Sequence, residues 1–186
     1  MESRGGAVPD QIVEVVDYDP AWVERFVEQQ ARLDTILAPW LAGPVEHVGS
    51  TSVPGLPAKP IVDILAPVRS LSDAQAALPA LAGEGWLFWP EDPNRHYRLW
   101  FLRPRPTART HHLQLMEQDH PDARALIAFR DALRRDDALR ASYAALKERL
   151  AARYRTDRNA YSNAKADFVQ SVLRRGGYAA SSRKPV

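Results

Sequence analysis

The eight residues Val53-Pro54-Gly55-Leu56-Pro57-Ala58-Lys59-Pro60 constrain the fold more than any other stretch, because three prolines and a glycine exclude a regular helix there. They form a rigid crossing loop. On either side stand short apolar runs, Val45–Val48 and Ile61–Leu65, which predict two strands. The first runs into Gly49-Ser50-Thr51-Ser52. The second carries a lone carboxylate, Asp63, with Lys59 just ahead of it.

This arrangement narrows the chemistry. Turns rich in Gly and Ser present backbone N–H groups and hydroxyls to anions, and a carboxylate on an adjoining strand can hold a cation. Phosphate with a divalent metal is therefore the expectation to test. Asp63 sits among Ile61, Val62, Ile64 and Leu65, and an unpaired buried carboxylate is costly, so it must face solvent, a partner or a cation. It either pairs with an Arg at a strand end or serves as metal ligand or general base. Its neighbour on the same strand face is Leu65. Two-metal phosphoryl or nucleotidyl transfer needs several carboxylates around ions roughly 3.5–4 Å apart, and Asp-x-Leu supplies one.

Around this block the chain reads as strands first and helices last. Residues 11–16, QIVEVV, predict a strand, and Asp19-Pro20 opens a helix in which Trp22, Phe26, Leu33 and Leu37 recur at helical spacing until Pro39. Ser72 with Gln75 predicts a capping box, and Pro79 predicts a kink or early end to the helix that follows. Residues 86–89, 97–103 and 109–117 predict strands joined as antiparallel hairpins. From His120-Pro121 onwards three helices follow, broken near Asp136-Asp137 and Thr156-Asp157. The class is α+β, a mixed sheet covered by helices.

Several other side chains are candidates. His47, two residues before Gly49, is a donor or ligand if it points into the same cleft and structural if it does not. Along Thr110–Glu117 the alternation puts His112 and Gln114 on one face and His111, Leu113 and Leu115 on the other. His112 thus joins the site if its face is that of Asp63. Arg98, Arg103, Arg105 and Arg109 crowd the hairpin region and suit either an anion or a solvated surface. Tyr143 with Lys147, and Tyr161 with Lys165, are four apart on a helix. Each lysine either covers a ring with its stem or aims its ammonium at phosphate.

With 186 residues, one domain over 11–175 is expected, with flexible ends at 1–10 and 181–186. A formal net charge of +2 argues against a bulk electrostatic grip on nucleic acid, so no nucleic-acid partner is expected. The absence of cysteine leaves only O and N ligands for any metal. No window approaches the roughly 20 apolar residues that span a bilayer, so no membrane association and a cytoplasmic location are expected.

The stretch VEHVGSTSVPGLPAKPIVDILAPV resembles the signature of the GrpB-like (UPF0157) family, assigned to the DNA polymerase beta-like nucleotidyltransferase superfamily. The resemblance runs on through Thr110-His111-His112-Leu113, Phe129-Arg130-Asp131, Tyr143-x-x-Leu146-Lys147, Asp157-Arg158-x-x-Tyr161 and Lys165-x-x-Phe168. It implies a nucleotidyltransferase-like fold whose Gly-Ser turn binds nucleotide phosphate and whose acidic strand binds Mg2+. Two departures stand out: Leu65 replaces the superfamily's second acid, and Gln114 stands where relatives often carry a His. A family domain of this kind also occurs fused to dephospho-CoA kinase, which suggests a CoA-pathway link.

The expected function is a transferase that uses ATP or another NTP on a small-molecule or nucleotide substrate, by nucleotidyl transfer or by acyl activation with amide formation. Gly49, Ser50, Thr51, Ser52, Lys59, Lys147, Tyr161 and Lys165 would bind nucleotide phosphate, Asp63 would hold Mg2+, and His47 or His112 would serve the acceptor. The alternative is a non-catalytic nucleotide- or CoA-binding accessory module.

Overall fold

In the computed structural model, residues 12–178 are described, so the expected leader 1–10 and tail 181–186 lie outside the described residues. The strands are β1 (Glu46–Val48), β2 (Val62–Val68), β3 (Leu87–Phe88), β4 (Arg98–Arg103) and β5 (His111–Glu117). They form one mixed sheet in the order β1-β2-β5-β4-β3, in which only the β2–β5 pair is parallel. The helices are α1 (Ala21–Leu37), α2 (Leu71–Ala74), α3 (Leu78–Gly83), α4 (Pro121–Arg135), α5 (Asp137–Arg153), α6 (Arg158–Asn163) and α7 (Ala166–Arg175).

Strand pairing sorts the side chains onto two faces. On one, Val62, Ile64, Ala66, Leu99, Phe101, Leu113 and Leu115 pack against Trp22, Phe26, Leu33 and Leu37 of α1. Full burial of such side chains stabilises the fold by about 1.5–3 kcal/mol each. On the other face Val48, Leu65 and Met116 meet Ala123, Leu126 and Ile127 of α4. A third cluster joins Val53 and Leu56 of the crossing loop to Leu133, Tyr143 and Phe168 of the C-terminal helices. Proline in the loop excluded helix, and its two apolar residues anchor it instead.

Several sequence expectations are corrected. Of the strand expected over 11–16, the described residues 12–16 join no strand of the sheet; they bridge at Val16 with Ala58 of the crossing loop. The cap of α2 is Ser70, whose extended backbone at the exit of β2 lets its hydroxyl accept from Asp73 N at 3.3 Å; Ser72 is already helical. The break expected at Pro79 is present: α2 gives way to a 3-10 turn over Gln75–Ala77, and α3 begins at Leu78 with Pro79 in its first turn, where the missing N–H costs nothing. The last expected helix is two, because the chain turns at Ala164 and Lys165 between α6 and α7.

Candidate functional site

At the end of β1 the chain turns through Gly49, at φ +73°, into a single 3-10 turn over Ser50–Ser52. Most of its polar groups fix its own shape. The Ser52 hydroxyl donates to Gly49 O at 2.6 Å, and the Thr51 hydroxyl donates to Ile61 O at 3.1 Å, tying the turn to the entry of β2. From α4, Arg134 donates twice to Ser52 O, at 3.0 and 2.7 Å, and Arg130 links Glu46 (2.6 Å) to His47 O (2.9 Å). The amides of Ser50 and Thr51 donate to no backbone carbonyl among the described residues, and Ser50 is only half-buried. The turn therefore presents N–H groups and one hydroxyl on a braced backbone.

Asp63 lies directly behind it, paired in register with Val48 on one side and His112 on the other. A Cβ on Gly49 would sit 2.5 Å from Asp63 Oδ2, so only glycine lets the turn lie against this carboxylate. His112 Nδ1 stands 2.9 Å from Asp63 Oδ1, and Nη2 of Arg158 stands 3.3 Å from His112 Nε2. Arg158 can only donate, so Nε2 accepts and the imidazole proton sits on Nδ1, facing Asp63. The edge of Trp100 meets His112 with ring centres 5.3 Å apart.

Two lysines stand nearby. Lys59 and Lys165 both approach the buried Tyr161 ring, at 5.0 and 4.1 Å from its centre. Burial, with Lys165 and Arg158 nearby, pushes Lys59 down to about 6, although Asp63 pulls it the other way. For Asp63, burial acts to raise the pKa, but the His112 hydrogen bond, with His112, Lys59 and Arg158 close by, outweighs it and holds the carboxyl below its usual value. Positive charge exceeds negative here, which suits an anion.

Of the residues in this cleft, Asp63 alone carries a carboxylate. Among those described, no three His, Asp or Glu side chains converge as a metal site. Asp63 has one oxygen on His112 and cations around it. Glu46, the carboxylate beside Leu65 in register, is bound to Arg130.

Not every expected residue joins the cleft. His47 pairs with Ile64 and so faces away from Asp63, stacked on Phe26 at 4.8 Å, with Nε2 3.0 Å from Thr51 Oγ1. It supports the turn from behind, and burial lowers it to about 4. Lys147 is 1% exposed, over the Tyr143 ring, with Nζ donating to Pro57 O. It holds the crossing loop. The hairpin arginines disperse: Arg98 is locked by two bonds to Asp92 at 2.5 and 2.8 Å, Arg103 bonds Gln29 on the opposite face, and Arg105 is exposed. Arg109 stays near, over Trp100 at 5.9 Å.

Sequence reasoning assigned no site role to Arg158, Trp100, Arg130 or Arg134. Arg158 had a local signal, since it follows the helix cap Asp157, whose side chain accepts from Ala160 N at 2.8 Å. Its reach to His112 had none, because the two are 46 residues apart.

The family model described as "GrpB protein" matches residues 12–175. The chain belongs to the GrpB family. Its GrpB relatives include a UPF0157 protein of Pseudomonas aeruginosa, 41% identical over 98% of this chain and 74% of that protein. The YqkA protein of Bacillus subtilis, also UPF0157, is 31% identical over 88% of this chain, which spans only 47% of YqkA. A crystal structure of the conserved protein GrpB from Enterococcus faecalis superposes with a TM-score of 0.78 and 32% identity, covering 87% of this chain and 96% of that one. Among the described residues no helix is long and apolar enough to cross a membrane.

Proposed function

We propose that this GrpB chain is a nucleotide-dependent transferase of nucleotidyltransferase-like fold, using ATP or another NTP on a small molecule. The observation that carries the reading is the convergence of Asp63, His112, Lys59 and Arg158 on one sheet face behind the Gly49–Ser52 turn. The turn's free N–H groups and the Ser50 hydroxyl take phosphate oxygens, and Lys59, Lys165 and Arg158 offset their charge. An anion that draws Arg158 off His112 leaves an imidazole with its proton on Nδ1, held by Asp63, and a bare Nε2. That is the geometry of a general base oriented by a carboxylate.

A non-catalytic module that binds a nucleotide or CoA is the second reading, favoured by Leu65 in the place of a second acid. Calorimetry with ATP, paired with assays for phosphate and pyrophosphate, separates the two. On the transferase reading, Asp63→Asn removes turnover while the melting temperature stays within a few degrees. Retained turnover in that variant rejects the role given to Asp63, and binding without any product selects the accessory module.

A further inference from the structure

Beside the phosphate turn lies a second cavity of about 170 Å3, bounded by Ile12 and Glu14 of the N-terminal segment, Lys59 and Ile61 of the crossing loop, Arg109 and Arg158. It shares Lys59 and Arg158 with the Asp63 site but does not include the Gly49–Ser52 turn. A volume of this order suits a small organic molecule. Two arginines, Lys59 and one carboxylate line it, next to apolar side chains, of which Ile12 is 62% exposed.

We propose that this cavity is the acceptor subsite of the enzyme and takes a small organic carboxylate, its anionic end among Lys59, Arg109 and Arg158 and its carbon body against Ile12 and Ile61. The word acceptor rests on the transferase reading; the anion site does not. Arg109 is buried, with Nε donating to Pro106 O at 3.0 Å, so its guanidinium is held in place before any ligand arrives. Planar guanidinium groups match a carboxylate's two oxygens. Lys59, lowered to about 6 among neighbouring cations, regains its proton when an anion joins it. The apolar wall sets the class of ligand: inorganic phosphate satisfies the cations and leaves Ile12 and Ile61 unused, whereas a carboxylate with a short carbon chain satisfies both. Because Lys59 and Arg158 belong to both sites, a carboxylate here lies next to a phosphate held by the turn.

Titration of the full-length protein with butyrate, glutarate and inorganic phosphate, followed by NMR of the arginine side chains and of Ser50–Ser52, tests the assignment. Saturable shifts at Arg109 and Arg158 are expected with the two carboxylates, tighter with butyrate, whose propyl chain ends in a methyl group against Ile12 and Ile61, than with glutarate, whose three methylenes end in a second carboxylate beside Glu14. Ile12→Glu, at an exposed position, is expected to weaken carboxylate binding about tenfold and to leave ATP-induced shifts at Ser50–Ser52 unchanged. Arg109→Gln is expected to do the same, and the exposed variant keeps the test decisive if this buried one fails to fold. Phosphate binding more tightly than either carboxylate at Arg109 overturns the ligand class. No saturable shift with any of the three overturns the site. Carboxylate binding at Arg109 with no ATP effect at the turn leaves the anion pocket standing and removes the nucleotide reading instead.

Discussion

Gly49 and Asp63 are in contact across the β1–β2 pair, with no room between them for a methyl group: a Cβ on Gly49 would stand 2.5 Å from Oδ2 and 3.1 Å from Cγ of Asp63. Gly49→Ala therefore meets two penalties, a left-handed φ of +73° and a collision with a carboxylate held by His112. The backbone term alone is about 1–3 kcal/mol. We expect a lowered melting temperature together with loss of ATP-induced shifts at Ser50–Ser52. An alanine variant with native stability and native shifts would show that the turn and Asp63 are not coupled.

The second prediction concerns proton uptake. With Lys59 lowered to about 6, the ligand-free site is largely uncharged at that residue at pH 7.5, and an anion pulls the proton back on. Binding of ATP or a carboxylate should then weaken as pH rises above 6, by up to about tenfold per pH unit until the bound-state pKa is reached. Calorimetry in buffers of different ionisation enthalpy reads the uptake directly. Lys59→Met should abolish it, and an unchanged uptake in that variant places the titrating group elsewhere.

Acid stability follows from the histidines on the face away from the cleft. Burial lowers both His47 and His111 to about 4 from 6.5. Because the unfolded chain binds protons first, each group favours the folded state fully above pH 6.5, and this advantage is lost as pH falls from 6.5 to 4. Each accounts for up to about 3 kcal/mol. Denaturant titrations should show the fall over that window, smaller by about half in His111→Gln. A variant with the full wild-type slope contradicts the assignment to His111.

The sequence shows which residues matter in the turn and along the strands more readily than which of them meet. The loop prolines and the β-branched runs make β1, β2 and the crossing loop legible, and alternation alone puts His111 and His112 on opposite faces. What alternation does not supply is register between strands. His47 sits opposite Ile64 instead of Asp63, so a histidine close in sequence to the turn ends up behind it, while His112, 49 residues from Asp63, lies beside it. Arg158 was obscured for a related reason: it opens α6, a helix too short to show a period, and the turn after that helix, which carries Lys165, has neither Pro nor Gly. Lys147 is the opposite case: its four-residue spacing from Tyr143 was read correctly as a shared helix face, and the choice between covering a ring and reaching a phosphate depended on burial, which spacing does not encode.

Lys147 gives the last prediction. Its ammonium is buried over Tyr143 and donates to Pro57 O, two residues before Lys59, so it braces the loop that positions a cleft cation. Burial, with Lys165 nearby, lowers it to about 7 from 10.5. Between those values the unfolded chain carries a proton that the folded chain lacks, so stability from this group rises with pH from 7 towards 10.5. Lys147→Met removes that dependence and leaves Pro57 O without its donor, a loss of about 1–3 kcal/mol. The stability gap between wild type and variant should therefore widen from pH 7 to 9, approaching about 1.4 kcal/mol per pH unit. ATP and carboxylate binding should both weaken, through a displaced Lys59. Stability curves that run parallel over this range, with phosphate affinity alone reduced, would instead make Lys147 a direct phosphate ligand, reached by a movement of the crossing loop.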